Sequence, residues 1–545
     1  MSFRSRLPSR GRALVDDDAR GAGLTLLAAA IAAILVVPVV WLVIDASRLG
    51  ARAVALTVDP RTLRVLLRSL ALVAVVTAGS VLVGVALAVL TAQADLPFPR
   101  LFTVLSALPL VIPSYLGAFA AVSAFGPHGE LAGVLTPLGV PRVPTIYGFA
   151  GAAAVLTLYT YPYVFLTTRA SLLSLDASLL AAARTLDCGR LEAFRRVTLP
   201  QILPGVAAGA LLVALYTLSD FGTPNLMRVE VFTQFIFAQH NAFARDYAVL
   251  LSLHLVAVTA LILAVESRIG ADDAGAYTSR GNRGGATVSL GAWRYPATVL
   301  PIAVTALAIV LPIAIFGTWL VRGGVGYSLA VPEFSWSYGW NSVLLALLAA
   351  GASILLALPV AFQSATSGSR LATFADRVSY VGYAIPGIVV GIALLRSSLE
   401  IAPAIHKTLP ILVFAYVVRF VPQAVGSIRA STMQIDRRLT EAARTLGAPP
   451  LATFRRVTLP LIAPGIATGG ALVFLTTMKE LPATLLLAPS DPARPLLAPS
   501  GFDTLVTYIW RVEETGAYGQ AAVPALVLVG VSALSMAVIL RQEAA

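Results

Sequence analysis

The sequence predicts an all-α polytopic membrane protein with about twelve transmembrane helices, arranged as two parallel six-helix repeats. Three observations carry that expectation. Of the 545 residues, 58% are hydrophobic and 12% charged, with a mean hydropathy of +0.84, against about 25% charged residues in an ordinary soluble domain. The apolar residues run on for about twenty positions at a time, the length a helix needs to cross a hydrocarbon core, where barrel strands would alternate over about ten. A stretch that begins at residue 181 returns at residue 441, the mark of an internal duplication.

Lipid offers the peptide groups no water, so each apolar run is read as a helix. The runs lie near 23–46, 69–93, 101–125, 147–168, 201–221 and 247–267, and again near 296–320, 340–363, 377–396, 408–428, 462–480 and 519–540. The first follows Arg4, Arg6, Arg10, Arg12 and Arg20. Its apolar core is longer than that of a cleaved secretory signal and no small-residue cleavage site closes it. It is read as a retained signal-anchor with the amino terminus in the cytoplasm.

The net charge of +12 sits mostly as arginine in short segments beside the spans, the pattern of cytoplasmic loops rather than of a nucleic-acid interface. Arg169, Arg184, Arg190, Arg195 and Arg196 share one loop, and Arg429, Arg437, Arg438, Arg444, Arg455 and Arg456 another, so both loops are placed in the cytoplasm. Arg48, Arg52, Arg61, Arg64 and Arg68 break the pattern, because the topology puts them outside. Cys188 is the single cysteine, so no disulfide and no cysteine-built metal centre can form within one chain. His128, His240, His254 and His406 make no close ligand pair, and neither Lys407 nor Lys479 follows a glycine as a Walker A lysine must. With no nucleophile–base constellation in view, no enzymatic activity is expected of this chain, and it cannot hydrolyse ATP itself.

Residues 181–209 and 441–469 agree at 18 of 29 positions, at an offset of 260. The register extends upstream, where Pro162 matches Pro422, Arg169-Ala170-Ser171 matches Arg429-Ala430-Ser431, and Asp176 matches Asp436. An even number of spans separates the copies, so both loops emerge on one face and the repeats are parallel, related by a pseudo-twofold axis along the membrane normal. The Gly-, Ser-, Arg- and Asp-rich stretch after residue 269 reads as a linker. The expected division is a first transmembrane repeat at 1–269, a cytoplasmic linker at 270–294 and a second transmembrane repeat at 295–545.

Each repeat carries a polar stretch that reads as helix, turn, helix. In the second copy Thr440 is placed to cap a short helix, Gly447 can adopt positive φ, and Pro449-Pro450 can reopen a helix. Leu451, Phe454 and Val457 then make one apolar side, and Pro460 and Pro464 open the next span. One such helix could lie flat among lipid headgroups. Two copies on one face, with Ala182-Ala183 and Ala442-Ala443 allowing close approach, suggest a docking surface for a dimeric or pseudo-symmetric partner.

Glu441-Ala442-Ala443, Gly447, Val457 and Leu459-Pro460 resemble, at the same spacing, the signature of binding-protein-dependent ABC importer permeases. The resemblance implies the type I importer permease fold in a bacterial cytoplasmic (inner) membrane. It further implies a coupling helix seated on an ATP-binding subunit, expected as a homodimer, with ATP and Mg used there and no cofactor bound by this chain. An extracytoplasmic binding protein would deliver the cargo. The implied coupling residues are Ala182, Ala183 and Asp187 in the first copy and Glu441, Ala442, Ala443, Gly447 and Pro460 in the second. The first copy departs from the signature, with Ala181 for Glu and Asp187 for Gly, so coupling is open to asymmetry.

The same offset sets Asp220 opposite Glu480. Carboxylates at membrane depth are costly unless they face a cavity or a partner. They are expected to face each other or a shared pathway, as transient ligands for a hard cation, or else to be structural anchors paired with an arginine or Lys479. Ser219-Asp220-Phe221-Gly222-Thr223, the run Lys479 to Leu487, and Asp503-Thr504-Leu505 resemble the fused ferric iron permeases, which implies iron as cargo and an iron-binding protein as partner. Similar permeases carry thiamine, polyamines, sulfate or phosphonates. Major-facilitator carriers also have parallel six-helix halves, but they have no reason for duplicated loops ending in Val-Thr-Leu-Pro.

Overall fold

The computed structural model describes residues 9–126, 129–135, 139, 143–175, 189, 192, 194–271, 289–323, 333–367, 369–490 and 501–544. Through the first repeat these form α1 (Ser9–Ser47), α2 (Pro60–Gln93), α3 (Pro99–Ala107), α4 (Ser114–Ala124), α5 (Phe149–Leu173), α6 (Leu199–Ser219), α7 (Gly222–Leu226), α8 (Phe232–Asn241) and α9 (Arg245–Ala271). A mixed helical run from Gly291 ends in α10 (Leu311–Arg322). There follow α11 (Trp336–Thr366), α12 (Arg370–Ser379), α13 (Gly387–Ile401), α14 (Leu409–Met433), α15 (Arg437–Thr445), α16 (Pro450–Thr453), α17 (Leu459–Met478), α18 (Pro482–Leu487), α19 (Leu505–Glu514) and α20 (Ala522–Ala544).

Among the described residues ten helices are long and apolar enough to cross a membrane, or eleven if one bent pair counts as a single span. The protein is an all-α, multi-pass membrane protein. The bent pair is the span expected near 101–125, which turns by 93° between Val111 and Ser114. The span expected near 377–396 is not one helix either, because α12 and α13 are separated at Ile385-Pro386. The cause is shared: proline pushes the residue before it out of the helical region, and Ile112 and Ile385 are extended, with ψ of 123° and 122°.

The chain folds as two compact units. One comprises Asp45–Ser335 and Thr507–Ala533, the other Met1–Ile44, Trp336–Val506 and Leu534–Ala545. The units therefore differ from the sequence repeats. The opening helix α1 belongs, up to Ile44, with the second repeat's helices, and the run ending in α10 belongs with the first repeat's.

Helices in lipid gain little from expelling water and associate through close packing, which small residues allow. In the first unit Gly79 lies against Thr157 and Gly84 against Val164, so α2 and α5 run in the same direction. Gly205 meets Ser171 and Gly209 meets Thr167, so α6 returns antiparallel to α5. In the other unit Gly465 meets Ser431 and Gly469 meets Ala424, which sets α17 against α14 in the same way. A methyl group built on Gly205 or Gly465 would stand 2.0 Å or 2.2 Å from the facing serine Oγ, so both glycine pairs, each spaced by four, are needed for the approach.

Each unit also holds one buried serine that closes a helix start. The Phe232 amide, which opens α8, donates to Ser69 Oγ at 2.9 Å, and the Leu505 amide, which opens α19, donates to Ser342 Oγ at 2.9 Å. Both hydroxyls donate onward to a carbonyl four residues back in their own helix. An orphan amide of a helix end is thereby satisfied where water is scarce. These counterparts lie 273 positions apart rather than 260, so the second repeat is shortened before its loop and lengthened after it.

Candidate functional site

In the second copy of the repeated loop, α15 is opened by Asp436, whose side chain accepts the Arg438 amide at 2.9 Å. The cap is therefore not Thr440, which lies within the helix. Aspartate is among the best N-cap residues, and its short carboxylate reaches the second amide of the turn. The helix stops where Gly447 takes φ +84°, a left-handed conformation that costs a side chain energy. Pro449 and Pro450 then open α16, where a missing amide costs nothing.

Phe454 to Thr458 forms a π-helical turn leading into α17, and Phe194 to Thr198 does the same ahead of α6. The two Phe-Arg-Arg-Val-Thr strings thus adopt one conformation. Phe454 meets Phe362 of α11 edge to face, with ring centroids 5.7 Å apart, so the loop is fixed to a long membrane helix.

Glu441 and Ala442 are exposed on α15, Ala443 is half-buried, and Pro460 is exposed at the start of α17. Leu446 is 88% exposed and Leu451 66%, an apolar pair on either side of the Gly447 turn. Ala182, Ala183 and Asp187, the coupling residues expected in the first copy, lie outside the described residues. Of that copy the structure gives the π-helical turn and the Arg196–Glu192 pair at 3.0 Å.

Asp220 and Glu480 belong to different units. Glu480 ends the chain's exit from α17 and precedes α18. Its carboxylate receives Arg419 of α14 and accepts the Ala483 amide at 3.3 Å. A methyl on Gly387, at the start of α13, would come within 2.2 Å of Glu480 Oε1, so glycine there lets the helix end close on the carboxylate. Tyr416 and Thr484 bond through their hydroxyls beside it at 2.7 Å.

Asp220 occupies the matching place after α6 and, among the described residues, has no cationic partner of that kind. Its carboxylate accepts the Ser114 hydroxyl at 3.2 Å. Tyr216 donates to Ser114 at 3.0 Å, and Thr233 donates to the Asp220 carbonyl at 2.7 Å. Ser114 and Gly387 are counterparts, each just after the proline that breaks its span. The shorter acid is met by a serine hydroxyl, the longer one by a bare glycine.

Sequence reading named both acids but not Arg419, Ser114 or Gly387. Arg419 carried a signal, since an ionisable residue inside a span is rare; its counterpart at the 260 offset, Tyr159, instead donates to the Ala308 carbonyl at 2.9 Å. Among the described residues no group of three or more His, Cys, Asp or Glu side chains could hold a metal, so neither acid belongs to such a cluster.

Residues 80–323 and 349–544 match the family of binding-protein-dependent transport system inner membrane components, once in each half. The Fe(3+)-transport system permease protein FbpB 2 of Haemophilus influenzae is 29% identical over 93% of this chain and 95% of its own length. The ferric transport system permease protein FbpB of Actinobacillus pleuropneumoniae is 25% identical over 88% of this chain and 70% of its own. The molybdenum transport system permease protein ModB of Mycobacterium tuberculosis is 31% identical over 38% of this chain and 80% of its own.

Proposed function

The chain belongs to the family of binding-protein-dependent transport system inner membrane components, and from that premise we propose that it imports ferric iron, driven by ATP hydrolysed on a separate subunit. As a permease of this kind it works with an ATP-binding subunit and an extracytoplasmic binding protein. The proposal adds that the ATPase is a homodimer that meets both repeated loops in the cytoplasm, that the amino terminus lies on the same side, and that this chain performs no catalysis of its own.

The observation that carries the coupling reading is the exposed turn between α15 and α16. Leu446, Gly447 and Leu451 offer an apolar knob to a groove, and the Phe454–Phe362 contact ties that knob to α11. A partner that binds this loop differently in its open and closed states would bias the membrane helices between two arrangements. Glu441, Ala442, Ala443 and Pro460 set the knob's position. Ala182, Ala183 and Asp187 would do the same in the first copy.

Iron as cargo is supported by two relatives whose names specify ferric transport and that align with most of this chain. Asp220 and Glu480 are proposed to flank the pathway, Asp220 as the acid that meets the cargo and Glu480 as one held by Arg419. A second reading, an oxyanion such as sulfate, draws on Arg419 and Lys479 beside Glu480 and on relatives named for molybdenum and sulfate transport. Uptake of radiolabelled ferric iron in vesicles holding this chain, its ATPase and its binding protein decides between them. Accumulation that requires ATP supports iron; ATP-driven uptake of sulfate without iron would replace it, and iron uptake indifferent to ATP would end the coupling reading.

A further inference from the structure

Five arginines between the first two spans oppose the usual charge asymmetry of membrane proteins, and the structure divides them into two sets. Arg48 stands 3.9 Å from Asp45, Arg52 3.8 Å from Asp246, and Arg61 2.6 Å from Glu230, with its guanidinium also over the Phe235 ring. These three are neutralised within their own unit. Arg64 and Arg68 are exposed, and among the described residues neither forms an ion pair.

Both stand on one side of α2, a single turn apart. The inward side of this helix buries Thr62, Val65, Ser69, Leu72 and Val76. The outward side continues from the arginines through Ala71, Val75, Ala78 and Leu82, every one exposed, with Leu82 at 74%. Those residues follow helical spacing, so the two guanidinium groups crown an apolar stripe whose only suitable neighbour is hydrocarbon.

The depth agrees. From Arg68 to the end of α2 at Gln93 the axis measures about 37 Å at 1.5 Å per residue. A bilayer with its headgroup layers is about 40–45 Å thick. Arg68 therefore reaches the phosphate level of one leaflet when Gln93 lies at the other, and Arg64 stands one turn beyond. Because α2 runs parallel to α5, which leads into the first repeated loop, the leaflet concerned faces away from the loops.

We propose that Arg64 and Arg68 form a clamp for the phosphate of an anionic phospholipid in that leaflet. Two unpaired guanidinium groups suit a headgroup with no cation of its own, since an amine in the headgroup would compete for the phosphate. An acidic face of a soluble partner is disfavoured, because such a partner would have to meet the flank of a lipid-covered helix. The inference needs only that the chain spans the membrane, so it survives a change of cargo.

The test is native mass spectrometry of the purified chain released from vesicles of equal phosphatidylglycerol and phosphatidylcholine. The wild type should retain phosphatidylglycerol preferentially. The double variant Arg64→Gln/Arg68→Gln should lose that preference, by about fivefold for each arginine, and Arg64→Lys/Arg68→Lys should keep part of it. Equal retention of both lipids by the wild type, or unchanged preference in the glutamine variant, overturns the clamp. So does release of bound lipid by millimolar inorganic phosphate, which marks a site for a soluble anion, or a loss of binding-protein affinity with lipid retention intact. If the double variant does not fold, each single glutamine variant carries the same comparison.

Discussion

Arg419 and Glu480 form an ion pair inside their unit, with side chains 14% and 7% exposed, where the counterpart positions 159 and 220 hold a tyrosine and an aspartate. One half thus meets its acid with a full charge and the other with the Ser114 hydroxyl. Removing one member of a buried pair leaves an uncompensated charge, at a cost of about 3–5 kcal/mol, whereas removing both costs far less. Arg419→Met should therefore destabilise the protein strongly, and Arg419→Met/Glu480→Gln should recover most of the loss. Thermal unfolding in detergent reads both. Equal instability of the single and double variants would show that the loss does not come from an uncompensated Glu480 charge.

Gly447 has positive φ and open space around it, since a side chain built there meets nothing within 4 Å. A valine would be strained only through its backbone, by about 1–2 kcal/mol, and that strain would be relieved by re-aiming the exposed turn. Gly447→Val should leave insertion and melting temperature nearly unchanged while reducing stimulation of the ATPase by at least about tenfold. Full stimulation in this variant would remove the turn from the coupling surface.

How much of this could be read from sequence depends on whether the signal was local. Gly447, Pro449 and Pro450 could be assigned from residue type alone, because positive φ and helix starts have few chemical solutions. The duplicated loops could be aligned because their lengths agree. Asp436 was harder to choose over Thr440, since both can cap and only the start of α15 decides between them. The broken spans at Pro113 and Pro386 were missed because hydropathy measures how apolar a window is and carries no direction. The partner of Arg419 could not be read because its acid lies past the end of another helix, 61 residues away. Ser69 and Ser342 escaped because their shared role appears only at an offset of 273, after the repeat has changed length.

The glycine contacts between α14 and α17 give a stability prediction that separates crowding from helix propensity. A methyl at Gly465 would stand 2.2 Å from Ser431 Oγ and 2.7 Å from the Ser427 carbonyl, whereas one at Gly351 would meet nothing within 4 Å. Gly465→Ala should lower stability by about 1–3 kcal/mol through overpacking. Gly351→Ala, in the exposed face of α11, should be neutral or slightly stabilising. Adding Ser431→Ala should relieve Gly465→Ala only in part, because the carbonyl remains. Melting temperatures of the four proteins test the order.

Glu513, at the end of α19, offers a pH dependence outside the spans. Burial, followed by the neighbouring Glu514 carboxylate, pushes it up to about 7, with Arg228 opposing. The folded protein therefore binds a proton that the unfolded chain, with a carboxyl near 4.5, has already released. The stability this proton supports is fully present below that unfolded value and is lost as pH rises through about 7. Glu513→Gln cannot ionise, so its melting temperature should fall less than the wild type's across that interval. Glu514→Gln should shift the wild-type decline to lower pH by removing the like charge. Parallel profiles for wild type and Glu513→Gln would mean that Glu513 stays ionised throughout and that Arg228 outweighs both burial and Glu514.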